Sequence, residues 1–89
     1  MKRRNSFLLR EVATRQVIVP LGRAAQDFPG MLSLNATGAY LWQLLEQEQT
    51  EDSLVQALCQ RYVVDEDAAR KDVTAFVNKL REVRAITEE

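Results

Sequence analysis

Histidine is absent from this 89-residue chain, and cysteine occurs once, as Cys59. Without histidine the commonest general base and the commonest metal ligand are missing. One cysteine supplies neither the four ligands of a usual zinc site nor an intramolecular disulfide. No catalytic residue, metal ligand or cofactor is therefore expected. Glycine is nearly as scarce, and Gly22, Gly30 and Gly38 form neither a phosphate loop nor a dinucleotide fingerprint. No run of about 18 apolar residues occurs. The basic start at Lys2, Arg3 and Arg4 is not followed by the apolar core of a secretion signal, because Arg10 and Glu11 interrupt it. A cytoplasmic protein without a membrane partner is the expectation.

An excess of one charge is lacking as well, with 12 basic against 13 acidic side chains and a net charge of −1. The distribution is uneven: residues 1–30 carry six basic groups against Glu11 and Asp27, whereas residues 31–65 carry Arg61 against five carboxylates. That pattern does not supply the broad basic face that nonspecific nucleic-acid affinity requires, so nucleic acid is not an expected partner. What is present is enough apolar material, 46% of the residues, for one thin hydrophobic core. The chain reads as a single domain, residues 1–89, built of two layers.

Short apolar or β-branched runs at 7–12 and 16–21, separated by Ala13, Thr14 and Arg15, predict a hairpin. Pro20 and Gly22 end the second strand, and 23–30, with Pro29 and Gly30, reads as an exposed loop. Residues 31–34 form a short third strand. Asn35 is a good N-cap, and Ala36, Ala39, Tyr40 and Leu44 have helical spacing, so the first helix runs to about Glu46. Thr50 caps a second helix with Glu51 and Asp52 in its first turn and a stripe of Leu54, Val55, Leu58, Cys59 and Tyr62. Asp65 caps the longest helix, in which Val73, Phe76, Val77 and Leu80 recur at i, i+3, i+4, i+7. That helix fades near Arg84, and Ile86 packs back on the core. The fold class is α+β, winged-helix-like, a small three-stranded antiparallel sheet followed by three helices.

Most conspicuous side chains read blandly. The carboxylates at Glu51, Asp52 and 65–67 stabilise helix starts. Cys59 shares a stripe with Val55 and Tyr62 and packs as a small hydrophobe. Trp42 is either the central core residue, which the apolar run 40–45 favours, or an anchor in a groove. Gly38 costs a helix about 1 kcal/mol relative to alanine, so either another backbone approaches closely there or a helix start tolerates it.

The segment 34–42 (LNATGAYLW), then Thr50, Leu54, Leu58 and Tyr62, then Asp72, Val73, Phe76 and Leu80, resembles the PqqD-like family, named for coenzyme PQQ (pyrroloquinoline quinone) synthesis protein D. The resemblance spans roughly residues 7–86, and Leu34-Asn35-x-Thr37-Gly38 with Trp42 is its most specific part. It implies a winged-helix-type recognition element for a ribosomally made precursor peptide. Such a domain binds the leader segment and presents it to a modifying enzyme, often a radical SAM protein, as an adaptor or chaperone rather than a catalyst. It further implies that the leader adds as a strand beside the third strand, in a groove whose other wall is the third helix. The expected peptide-binding residues are Met31, Leu32, Ser33 and Leu34 on the strand and Lys71, Asp72, Ala75 and Lys79 on the helix, Asp72 matching a recurrent family position. Ala85 stands where such domains often have glycine, and only Ile86 remains of the apolar pair that follows, which puts the C-terminal wing in question.

The rival reading is a winged-helix DNA-binding regulator with Arg70, Lys71 and Lys79 towards DNA. Its helix opens with Asp65, Glu66 and Asp67, and its charge from 66 to 83 is balanced. A homodimer formed by edge-to-edge pairing of the third strand is compatible with the leading reading.

Overall fold

The computed structural model describes residues 1–27 and 30–87. Strands β1 (Lys2–Arg3), β2 (Phe7–Val12) and β3 (Arg15–Pro20) come first, then a short helix α1 (Arg23–Asp27) and strand β4 (Leu32–Leu34). Helices α2 (Ala36–Leu44), α3 (Glu51–Arg61) and α4 (Glu66–Glu82) follow, and β5 (Ile86–Thr87) closes the order. This is the expected α+β arrangement of a three-stranded antiparallel sheet before three main helices, for which the winged-helix label is loose.

The hairpin pairs Phe7 with Pro20 and Val12 with Arg15, leaving Ala13 and Thr14 at the turn. Ala13 takes a φ of 57°, a left-handed conformation usually filled by glycine. β3 also pairs with β4, from Gln16 opposite Leu34 to Ile18 opposite Leu32, giving the order β2-β3-β4. Phe7 and Ile18 are buried, and alternate residues such as Leu8 and Val12 stay exposed, as the two-residue period of a strand requires.

All three helix caps fall where the sequence puts them. Asn35 Oδ1 accepts from the Gly38 amide at 2.7 Å, and Asp65 Oδ1 accepts from the Ala68 amide at 2.8 Å. Thr50 and Ser53 exchange bonds reciprocally, each backbone N–H donating to the other's hydroxyl. Trp42, Leu41, Leu45, Leu54, Val55, Val73, Val77 and Leu80 form the buried core against Ile18, so Trp42 is a core residue.

Several expectations need correction. The segment read as a loop, 23–30, contains α1, because Ala24 and Ala25 are strong helix formers and their amides close the first turn onto Leu21 and Gly22. Phe28 and Pro29 lie outside the described residues. Met31 is not part of the third strand and is 56% exposed. The register would set Gly30 opposite Pro20, which has no N–H to continue the ladder. Tyr62 is exposed rather than buried: α3 ends at Arg61, and Tyr62 leaves the helix with extended angles to meet Tyr40 edge-on.

The ends of the chain form a second sheet that periodicity does not reveal, with Lys2 opposite Thr87 and Arg3 opposite Ile86. Arg3 anchors it. Its amide donates to the Leu45 carbonyl at 2.9 Å, and its guanidinium lies 5.7 Å from the Trp42 ring centre. Ala85, the departure from the family pattern, is fully buried. The left-handed position is Arg84 instead, with a φ of 57°. The Ala85 amide donates to the Leu80 carbonyl and the Arg84 amide to Arg81, the pattern that terminates helices on a left-handed residue. No helix among the described residues is long and apolar enough to cross a membrane.

Candidate functional site

β4 uses one edge to pair with β3, and its other edge is free among the described residues. That edge opens on a cleft of about 290 Å³ between β4 and α4. One wall is Leu32, Ser33 and Leu34; the other is Asp72, Ala75, Phe76 and Lys79; Gly38 and Leu41 of α2 contribute between them. Residues 72, 75, 76 and 79 follow the i, i+3, i+4, i+7 spacing, so they form a single stripe along the helix. The core stripe of Val73, Val77 and Leu80 lies beside it and holds α4 in place.

Gly38 shapes the cleft. A Cβ built there would lie 3.2 Å from Asn35 Oδ1 and 3.5 Å from both Leu34 Cβ and Phe76 Cε1. The three atoms nearest such a Cβ all belong to side chains, one of them engaged in capping the same helix. With no side chain at 38, the half-buried Phe76 ring comes against the start of α2 beside the cleft.

Six of the residues singled out in the sequence, Leu32, Ser33, Leu34, Asp72, Ala75 and Lys79, line this cleft together. Met31 and Lys71 do not line it. Met31 precedes the strand, and Lys71 sits about 100° round the helix from Asp72, on a flank shared with Asp67, Arg70 and Thr74. Asn35, Thr37, Gly38, Leu41 and Phe76 line the cleft but were not anticipated there. Part of the signal was available, since all but Phe76 lie in the 34–42 motif.

The two flanks of α4 differ in how their polar groups are used. On the α3 side Arg70 pairs with Asp52 at 2.9 Å, and the Thr74 hydroxyl donates to Glu51 Oε1 at 3.1 Å. On the cleft side Asp72 and Lys79 are exposed, and neither side chain has an ion pair or hydrogen bond among the described residues. The cleft thus combines unpaired backbone groups, an apolar lining and two opposite charges. Among the described residues no group of three or more cysteine or acidic side chains converges as a metal site would.

Two solved structures resemble the chain. TbiB1 in complex with the TbiA(beta) leader peptide superposes with a TM-score of 0.77 at 22% identity, covering 100% of this chain and 98% of that one. Lasso peptide synthetase B1 complexed with the leader peptide gives a TM-score of 0.69 at 25% identity over 91% and 89% of the two chains. No curated protein sequence matches. The family model for coenzyme PQQ synthesis protein D (PqqD) matches residues 9–86, nearly the whole chain, and the chain belongs to the PqqD family.

Proposed function

We propose that this chain is a non-catalytic adaptor, a single peptide-binding domain that takes up the leader segment of a ribosomally made precursor peptide and presents it to a modifying enzyme such as a radical SAM protein. The observation that carries this reading is the free edge of β4 facing α4 across an apolar cleft. An open strand edge offers N–H and C=O groups to any extended peptide, and the side chains of the facing wall select among them. Leu32, Ser33 and Leu34 supply the edge, and Asp72, Ala75 and Lys79 the selecting wall. Both structural neighbours were solved with leader peptides bound, and one matches this chain over its whole length.

The DNA-binding alternative gains nothing from the fold. Arg70, one of its three proposed contacts, is already paired with Asp52, and the first turn of α4 carries Glu66 and Asp67.

Titrating labelled protein with the leader of a precursor encoded beside its gene tests the proposal. Amide signals of Leu32–Leu34 and of α4 are expected to shift with a dissociation constant of about 1 μM or tighter, about −8 kcal/mol. Shifts confined to other elements would contradict it.

A further inference from the structure

The unpaired charges along the cleft carry an inference about what the peptide looks like; it rests on the strand-addition reading above. Asp72 and Lys79 are seven residues apart on one stripe of α4, about 10.5 Å along the helix axis. An extended peptide advances about 3.3 Å per residue and returns a side chain to the same face every second residue, so same-face positions i and i+4 lie about 13 Å apart. The flexible four-carbon stem of Lys79 spans the difference. Positions i and i+2, about 6.6 Å apart, are the poorer match, about 4 Å short of the span between the two charges. The intermediate same-face residue, i+2, falls beside Ala75 and Phe76, with Gly38 and Leu41 beyond. That surface is apolar.

We propose that the cleft selects an extended segment of the form charge–x–apolar–x–opposite charge, with the basic side chain beside Asp72, the acidic one beside Lys79 and the apolar one over Phe76. The direction of the added strand decides which charge comes first in the peptide. Two like charges leave one cleft charge repelled, and two neutral residues leave both unpaired.

Three synthetic peptides test this, with central sequences K-T-V-T-E, E-T-V-T-K and Q-T-V-T-Q in one serine-threonine host. Each is titrated by fluorescence anisotropy into the full chain and into the double variant Asp72→Lys with Lys79→Asp. Both positions are exposed, and thermal unfolding checks that the variant folds; Asp72→Asn serves if it does not. The wild-type chain is expected to prefer one charged peptide over the glutamine peptide by about fivefold, the size two exposed ion pairs allow. The double variant is expected to prefer the other charged peptide, and Asp72→Asn to lose about half of the discrimination. Equal affinities for all three, with amide shifts at Leu32–Leu34, would overturn the charge pattern while strand addition stands. Peptide binding that leaves the amides of Leu32–Leu34 unshifted would overturn both.

Discussion

The sheet ends in two open edges that differ in what stands beside them. Among the described residues β2 and β4 each pair with β3 on one side and with no strand on the other. β2 is the longer, six residues against three, and by length alone it is the better template for an added strand. It carries Arg10, Glu11 and Val12 out into solvent, and charged side chains along an edge discourage pairing. β4 offers fewer backbone groups but has α4 across the cleft. A strand edge by itself accepts extended chains without choosing, so recognition belongs where an edge and a wall of side chains meet.

The largest effect comes from removing the scaffold both edges share. Trp42→Ala is expected to cost about 3–5 kcal/mol in urea unfolding, as loss of a fully buried aromatic does. A cost below about 1 kcal/mol would place Trp42 outside the cooperative core. Next, Gly38→Leu puts a side chain among Leu34, Asn35 and Phe76. If crowding of about 1–3 kcal/mol falls on the bound state, leader binding is expected to weaken about fivefold or more. Val12→Lys on the other edge is expected to leave the dissociation constant within about twofold, and an equal loss there would remove the distinction between the edges.

Smaller effects lie away from both edges. Arg3→Ala is expected to lower stability by about 1 kcal/mol by releasing the end strands from Trp42, read by thermal unfolding. Arg84→Gly is expected to raise it by about 0.5 kcal/mol, because glycine takes the left-handed position after α4 without steric cost.

Much of this frame is legible in the sequence because its signals are local and strong. Asn35, Thr50 and Asp65 each precede a periodic helix, and all three cap one. The stripe Val73, Val77 and Leu80 is buried as its spacing requires. What escaped is short or decided at a distance. Two-residue strands at the chain ends have no period to detect, and Arg3 reads as a loose charge until Trp42 lies beneath it. α1 was hidden by the turn signals around it. In the cleft, helical phase separates Lys71 from Asp72, and Phe76 belongs to an apolar stripe yet faces the cleft because Gly38 makes room for it. That last placement depends on two helices meeting, which spacing along one of them does not encode.

Amide hydrogen exchange of the chain with and without a saturating leader peptide tests whether the peptide adds to β4. Binding by strand addition is expected to slow exchange at one or more amides of Leu32–Leu34 and to leave Phe7–Val12 unchanged. Protection that falls on Phe7–Val12, or that spares Leu32–Leu34 while the peptide is bound, would contradict it.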